Sequence, residues 1–383
     1  MWVVSGAAFR AARGPELQGE MDGFLPTENG RRKTLKAPIG CMGDGLHSGR
    51  RASLTLRPAA IGAGIIFRRS DLGVDIPARF DRVVDTRLCT AIAHPDMPEA
   101  RIGTIEHVMS ALAGAGIDDA IVEVDGPEIP ILDGSAAPFL FLIECAGVLT
   151  SAAPRQMIEV LRPIRVEDAQ GAFAELRPNS EAALDAALDI DYPNTAIGHQ
   201  SLTFRLTPDA FRTILADART FGLAEDVERL RQAGLALGGS LANAVVVDGP
   251  NILNPGGLRH PDEFVRHKML DMVGDLALAG APLRARFTGS RSGHALNNQL
   301  LRALFADSTA WRMVGEVAAP VPGVGAELPQ AARARSRAMG KKRRMIPGST
   351  ERHCRYRPDL PLVKSPGRKD WISGESRCLL FGP

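Results

Sequence analysis

Two side chains in the segment DEFVRHKMLDMVGD are spaced for metal binding. His267 and Asp271 lie four residues apart, so on a helix both project from the same face. An imidazole and a carboxylate together suit Zn²⁺ or a similar borderline cation. A bare HxxxD pattern is more often a His–Asp surface pair that supports its helix. The spacing therefore predicts a metal site without excluding that simpler alternative.

The segment TIEHVMS contains a second pair that could act in hydrolysis. Glu106 and His107 are adjacent on a helix predicted over residues 104–112, with Thr104 as its N-cap. The apolar side chains needed for the buried stripe of this helix are complete without the pair, so both are expected to point away from the core. A Glu beside a metal-ligating His is the arrangement that a hydrolase uses to deprotonate a metal-bound water.

Four more side chains carry possible chemistry, each beside an ordinary alternative. His294, in the turn of SRSGHALNN, could be a general acid, and Asp275 could be a histidine partner. Thr220, in ARTFGL, could donate to an oxyanion, and Lys268 could contact a phosphate or a polarised carbonyl. Each also has a simpler interpretation. His294 could be an ordinary loop histidine and Asp275 a solvated surface carboxylate. Thr220 could cap a turn, and Lys268 could be exposed to solvent.

Strands and helices alternate along the chain, as expected of elements that carry such a site. Residues 51–57 and 62–69 predict strands, and Ala120–Val124 predicts another that ends at Asp-Gly-Pro. Helices are predicted over residues 137–146 and 262–278. In the second half, strands are expected near 157–166, 172–176 and 244–247, with a helix near 208–215. The match between VEVDGP and VVVDGP suggests an internal repeat.

Length and composition predict two globular domains. The chain has 383 residues, of which 45% are hydrophobic and 23% charged, which excludes a disordered or collagen-like protein. Residues 331–383 hold 14 basic and 4 acidic side chains, whereas the remaining residues hold 32 and 40. The basic character comes from one tail, so we expect no nucleic-acid partner. A disordered tail is the simpler interpretation, and a patch for nucleic acid or anionic membrane is the alternative.

The sequence shows neither a membrane span nor a disulfide framework. The best apolar run ends at Glu144 and is far shorter than the roughly 20 residues that a spanning helix needs, and the N-terminus is a poor signal peptide. Five cysteines are scattered without a CxxC motif, which is typical of a reducing compartment. We therefore expect a cytoplasmic protein with at most peripheral membrane contact, and a monomer.

Five long segments follow one another in a specific order: TIEHVMSALAGAGIDDAIVEVDGPEIPILDGSAAPF, ARTFG, LGGSLANAVVVD, DEFVRHKMLDMVGDLALAG and SGHALNN. With the GDGLHSG turn before them, they resemble the UDP-3-O-acyl-N-acetylglucosamine deacetylases. These are zinc enzymes of the first committed step of lipid A synthesis in Gram-negative bacteria. The resemblance runs from about residue 31 to residue 330.

The resemblance implies a role for each matching position. These positions are His107, His267 and Asp271 as zinc ligands, Glu106 as general base, His294 as general acid, Asp275 as the carboxylate that orients it, Thr220 as an oxyanion donor, Lys268 as a substrate-binding or charge-stabilising residue, and Phe221 and Leu88 as lining of an acyl-chain passage. Fe²⁺ is an alternative to zinc at such a site. The implied reaction removes the N-acetyl group from the UDP-sugar substrate and releases acetate.

Composition gives the domain limits, with a boundary where residues 150–155 turn small and include a proline, and the fold is implied by the resemblance. The resemblance predicts an α+β protein of two similar domains, each a β-sheet layer packed on helices, with the zinc between the domains. Residues 1–30 are expected to be a disordered extension, 31–153 the first domain, 154–330 the second and 331–383 a basic tail. The competing hypotheses are a catalytically silent module that binds a sugar nucleotide or acyl chain, and a deacylase of another acyl sugar.

Overall fold

The computed structural model describes residues 30–315 and the backbone of Arg377–Leu379. The predicted N-terminal extension and basic tail therefore lie almost entirely outside the described residues. Within them the chain is a mixed protein of several β-sheets and six α-helical segments. The predicted α+β class is confirmed. Among the described residues, no helix is long and apolar enough to cross a membrane.

The first half of the described chain is a series of strands interrupted by two helices. Its elements are β1 (Arg31–Leu35), β2 (Ile39–Asp44), β3 (Arg51–Pro58), β4 (Ile65–Arg69), β5 (Val74–Pro77), β6 (Val83–Asp85), β7 (Ala91–His94), β8 (Met97–Ile102), α1 (Glu106–Gly114), β9 (Ala120–Val124), α2 (Ala137–Ala146) and β10 (Val148–Pro154). In strand β3, buried residues alternate with more exposed ones. Ala52, Leu54 and Leu56 are buried on one face, as expected of a strand with one face toward the core.

The second half contains the longest helix. Its elements are β11 (Met157–Val160), β12 (Ile164–Glu167), β13 (Phe173–Arg177), β14 (Leu184–Tyr192), β15 (Gly198–Arg205), α3 (Pro208–Ala210), a π-helical turn (Phe211–Leu215), β16 (Phe221–Leu223), α4 (Ala224–Gln232), β17 (Val245–Asp248), β18 (Asn251–Ile252), α5 (Glu263–Ala277), β19 (Leu283–Ser290), α6 (His294–Ala306) and β20 (Trp311–Val314). The final short strand, β21 (Arg377–Leu379), pairs with β2.

The two halves repeat one topology. In the first, β9 lies between β3, which is antiparallel to it, and β4, which is parallel, and β2 and β5 extend the sheet outward. In the second, β19 has the same relation to β13 and β14, with β12 and β15 outside them. Each central strand is preceded by one helix and followed by another, and each half carries a separate three-stranded sheet. The halves are therefore similar α+β units.

The sequence echo that suggested a repeat does not mark equivalent strands. VEVDGP ends β9, the central strand of the first large sheet, whereas VVVDGP ends β17, which belongs to the small sheet formed by β16, β17 and β18. The strand equivalent to β9 is β19, with the unrelated sequence LRARFTGS. The repeat therefore lies in the order and direction of the paired strands. Different sequences can form the same strand pairing when each buries apolar side chains on one face.

The segment at the predicted domain boundary is a strand, β10. Strand β10 pairs antiparallel with β1, with Thr34 opposite Leu149 and Leu35 opposite Val148. Small residues and a proline at the end of an edge strand are compatible with this pairing.

Helices α1 and α5 pack directly against each other, which brings the two halves together. The approach is close at Gly274, where an added Cβ would overlap the carbonyl oxygen of Glu106. Helix α5 is therefore buried almost all round, including Phe264, Met269 and Leu270. A polar side chain on either helix at this crossing is removed from water by the opposite helix.

The start of α1 differs from the prediction. The helix begins at Glu106, and Thr104 lies before it with φ of 57° and no capping role. Its hydroxyl instead donates to the Glu128 carboxylate at 3.1 Å. A β-branched residue at positive φ is strained, so the backbone turns sharply immediately before the two candidate site residues of this helix.

Candidate functional site

The crossing of α1 and α5 brings three candidate metal ligands together. The first turn of α1 carries His107, and the middle of α5 carries His267 and Asp271. Asp271 Oδ1 lies 3.6 Å from His107 Nε2 and 3.4 Å from His267 Nε2. One ligand atom from each residue lies within 4.8 Å of the others, and all three residues are buried.

The geometry of this group fits a tetrahedral cation. Zinc bound to nitrogen and oxygen at 2.0–2.1 Å gives ligand–ligand separations of about 3.4 Å, close to those between Asp271 and the two histidines. Asp271 Oδ1 is buried without a hydrogen-bond partner, which is costly unless a cation accepts its charge. His267 Nδ1 lies 3.0 Å from the carbonyl oxygen of Ala218, so its Nε2 is free to bind a metal.

Glu106 lies beside this group and is buried between helices α1 and α5. It is 4% exposed and His107 is 3% exposed, because α5 covers the face of α1 that carries them. One carboxylate oxygen of Glu106 accepts the backbone N–H of Thr90 at 3.0 Å. The other lies 4.0 Å from His294 Nε2, so a candidate base and a candidate acid face each other.

His294 is the first residue of α6 and is held by a carboxylate from α5. Its Nδ1 lies 2.8 Å from Asp275 Oδ2, and since a carboxylate only accepts, Nδ1 donates. Asn297 donates to the same oxygen at 2.9 Å, and the hydroxyl of Thr90 donates to Asp275 Oδ1 at 2.6 Å. His294 Nε2 is thereby directed toward Glu106 and Asp271, at 4.0 Å from each.

Lys268 and Phe221 border the same group. Lys268 Nζ donates to Asp271 Oδ2 at 3.1 Å and lies 5.5 Å from the centroid of the Phe221 ring. The Phe221 ring also meets the His267 ring at a centroid distance of 6.2 Å. A half-buried aromatic ring beside an ammonium group can contact both an apolar and an anionic part of one ligand.

Thr220 is held between the two halves of the molecule by its backbone. Its N–H donates to the carbonyl oxygen of Gly134 at 2.8 Å, and its own carbonyl accepts from Val245. Leu88 is 41% exposed and lies two residues before Thr90. The oxyanion role of Thr220 and the acyl-chain role of Leu88 stay predictions, because no contact here tests either one.

Burial and neighbouring charges set the protonation of the acid and the base. Burial raises the pKa of Glu106 to about 8, which makes it a stronger base than an exposed carboxylate. Burial alone lowers the pKa of His294, but the charge and hydrogen bond of Asp275 outweigh it and raise the pKa to about 9. The structure without bound cation therefore favours a protonated His294.

Burial also affects the metal-binding group. It lowers the pKa of His107 to about 3, with a smaller contribution from His267, and it lowers the pKa of His267. Burial raises the pKa of Asp271, but His267 and Lys268 reverse this and bring it below its ordinary value. Two neutral imidazoles and one carboxylate are the protonation states in which these groups bind a cation.

Several residues around the site escaped the sequence analysis. Thr90 contacts both Glu106 and Asp275, and Asn297 contacts Asp275. Glu263 is fully buried and anchors the loop before Thr220 through Arg219, with Nε to Oε1 at 2.8 Å. Asn297 could have been found as the residue one turn after His294. No sequence pattern marks Thr90, because its partners Glu106 and Asp275 lie 16 and 185 residues away in sequence.

A comparison with protein families gives the family of the chain. Residues 32–306 match the model of the LpxC family, described as UDP-3-O-acyl N-acetylglycosamine deacetylase. The chain belongs to this family. Every site residue described above, from Leu88 to Asn297, lies inside the matched range.

Individual members of the LpxC family match over nearly their whole length. The UDP-3-O-acyl-N-acetylglucosamine deacetylase of Acidithiobacillus ferrooxidans is 49% identical over 286 residues, which are 74% of this chain and 93% of the relative. Proteins of the same name from Idiomarina loihiensis and Shewanella frigidimarina are 48% and 46% identical, each over 74% of this chain and 92% of the relative.

Proposed function

We propose that this chain hydrolyses the N-acetyl group of UDP-3-O-acyl-N-acetylglucosamine, giving acetate and the UDP-3-O-acyl-glucosamine of lipid A synthesis. This is the activity printed in the names of its LpxC relatives. The observation that carries the proposal for this chain is the convergence of five groups. These are the three candidate ligands His107, His267 and Asp271, with Glu106 and His294 beside them.

We propose zinc as the cation that His107, His267 and Asp271 hold, with Fe²⁺ as the alternative. Two imidazoles and a carboxylate suit either ion. When bound, such a cation lowers the pKa of water and polarises an amide carbonyl. Three protein ligands are the number found in catalytic zinc sites, and His107, His267 and Asp271 would supply them.

The proton transfers are assigned to Glu106 and His294. Glu106 accepts the proton of the attacking water, for which its raised basicity is suited. His294 donates from Nε2 to the departing amine nitrogen while Asp275 holds Nδ1. An amine leaves poorly without a proton, so this donation is expected to matter more than it would in the cleavage of an ester.

The remaining predicted residues are assigned to the substrate. Lys268 is proposed to balance negative charge near the metal group and Thr220 to donate to the carbonyl oxygen in the transition state. Phe221 and Leu88 are proposed to line the passage of the acyl chain. Phe221 borders the site, with its ring centroid 5.5 Å from Lys268 Nζ.

We further propose that residues 31–153 and 154–330 are the two domains, in keeping with the repeated topology. The protein is proposed to act in the cytoplasm. A monomer remains a prediction.

The test measures acetate release from UDP-3-O-acyl-N-acetylglucosamine by the purified chain, with and without a strong chelator. We expect release that the chelator abolishes and added zinc restores. A panel of other N-acetylated sugars, run in parallel, tests the deacylase alternative. A folded, zinc-loaded protein that releases no acetate from UDP-3-O-acyl-N-acetylglucosamine would contradict the proposal, and release from another sugar alone would favour the deacylase alternative.

A further inference from the structure

Thr90 is fixed to helix α1 by its backbone. Its N–H donates to the Glu106 carboxylate at 3.0 Å, and its carbonyl accepts the N–H of Ile105 at 3.2 Å. Both contacts reach the first turn of α1, at the end of the segment between β6 and β7. Thr90 is 2% exposed, so water does not compete for either bond.

The side chain of Thr90 reaches the other half of the molecule. Its hydroxyl donates to Asp275 Oδ1 at 2.6 Å, across 185 residues of sequence. The other oxygen of Asp275 accepts His294 Nδ1 and the Asn297 amide. Thr90 therefore contacts the candidate base, Glu106, directly. It reaches the candidate acid, His294, through the carboxylate of Asp275.

We infer that Thr90 is a positioning residue that holds Glu106 and the His294–Asp275 pair at their working separation. This inference rests on the proposed function. Among the described residues, the hydrogen bonds of Thr90 join it to Glu106, Asp275 and Ile105. Its effect on catalysis is exerted through Asp275 and Glu106.

The hydroxyl is the part of Thr90 that substitution can remove cleanly. Without it, Asp275 Oδ1 is a buried acceptor with no donor, which favours rotation of the carboxylate toward another partner. Such a rotation would loosen His294 Nδ1 and move Nε2 away from its position 4.0 Å from Glu106. Loss of an orienting partner of this kind typically costs about 10- to 100-fold in activity.

The first experiment compares Thr90→Val, which keeps the shape and loses the hydroxyl, with Thr90→Ser, which keeps the hydroxyl. We expect Val to lower kcat about 10- to 100-fold while KM and bound zinc stay unchanged, and Ser to retain most of the wild-type kcat. Thr34→Val is the matched control, because Thr34 is a buried threonine with hydroxyl contacts only to Ala59. It is expected to leave kcat unchanged.

A double-mutant cycle then asks whether Thr90 acts through Asp275. In an Asp275→Ala background, Thr90→Val is expected to lower kcat little further, because the interaction is already absent. A full multiplicative loss there would overturn the inference, as would a normal kcat in Thr90→Val or an equal loss in Thr90→Ser. If the Val variant does not fold, Thr90→Ala replaces it, and a normal kcat again overturns the inference.

Wild-type activity separates this inference from the proposed function. An inactive, zinc-loaded wild type contradicts the proposed function and, with it, the role of Thr90. An active wild type whose kcat is indifferent to the Thr90 hydroxyl contradicts the inference alone.

Discussion

At the scale of residues, the site separates groups that hold a cation from groups that move protons. Asp271 offers Oδ1, which has no hydrogen-bond partner among the described residues, and the Nε2 atoms of His107 and His267 lie 3.6 and 3.4 Å from it. Glu106 and His294 instead have partners that orient them, Thr90 and Asp275. Adjacent residues such as Glu106 and His107 can therefore be distinguished by experiment.

Glu106→Gln and Asp271→Ala are expected to fail in different ways. Gln keeps the size of Glu106 and removes its basicity, so kcat should fall about 10²- to 10⁴-fold with metal content unchanged. Ala at position 271 removes one of three candidate ligands, so bound metal should fall. Metal analysis and kcat on both purified variants check this. Near-normal activity of Glu106→Gln would refute its assignment as the base.

At the scale of elements, the crossing of α1 and α5 determines the site geometry. The backbones can approach because position 274 is a glycine, and an added Cβ would overlap a backbone oxygen. Backbone atoms cannot yield as a flexible side chain does. The distance between His107 on one helix and Asp271 on the other depends on this contact.

Gly274→Ala is expected to force the helices apart. Overpacking of this kind costs about 1–3 kcal/mol of unfolding free energy, and the separation of the ligands should reduce metal content as well. Urea denaturation and metal analysis measure the two effects. The control is Gly126→Ala, whose Cβ would lie 3.8 Å from its nearest neighbour, and it should be neutral. If the two variants had the same unfolding free energy and metal content, the close approach of α1 and α5 at Gly274 would not determine the site geometry.

The start of α5 also positions the loop that carries Thr220. Glu263 accepts the Arg219 backbone N–H at 3.0 Å and its guanidinium at 2.8 Å, and it accepts the Arg259 N–H at 2.7 Å. Burial raises the pKa of Glu263, but the hydrogen bonds of Arg219 and Arg259 outweigh this and bring it below its ordinary value of 4.5. The ionised form is therefore the one that the fold stabilises.

Glu263→Gln is expected to change the acid dependence of stability. A carboxyl group with a lowered folded-state pKa stabilises the protein above its unfolded-state pKa, and this contribution is lost as pH falls through the folded-state value. The stability difference between wild type and Glu263→Gln should therefore be largest at neutral pH and shrink below about 4.5. Denaturant titrations over this range measure it, with exposed Glu225→Gln as control. A difference independent of pH would contradict the prediction.

At the scale of the whole molecule, the candidate ligands come from both halves. His107 belongs to the first α+β unit, and His267 and Asp271 belong to the second. Thr220 bonds to Gly134 and Arg259 to Asp133 across the same division. A cation bound to all three ligands would therefore link the two units and favour the folded state.

Metal removal should consequently lower the thermal stability of the full chain. A cation at about 100 times its Kd adds about 2.7 kcal/mol to the unfolding free energy, so Tm should rise with added zinc and fall with a chelator. Asp271→Ala should show little of this shift. Calorimetry with and without zinc measures it. A wild-type Tm that is indifferent to zinc and chelator would contradict a shared site.

The sequence alone determined the types of group in the site and most of the elements that carry them. The spacing of His267 and Asp271 placed both on one helical face, and β3, β9 and α2 have the bounds that their patterns indicated, within one residue. These features are local, because helix and strand periodicities act over a few residues. Recognition of long ordered motifs added the family, which the matched range 32–306 then confirmed.

The tertiary structure decided what depends on contacts between distant segments. The burial of Glu106 results from α5, which lies more than 150 residues away in sequence. Thr104, at positive φ, donates its hydroxyl to Glu128, which lies 24 residues further along the chain. The similarity of VEVDGP and VVVDGP did not identify equivalent strands. The place of a strand in a sheet depends on the strands with which it pairs, and β9 and β17 pair differently. Thr90 became visible only when the fold brought its hydroxyl to Asp275.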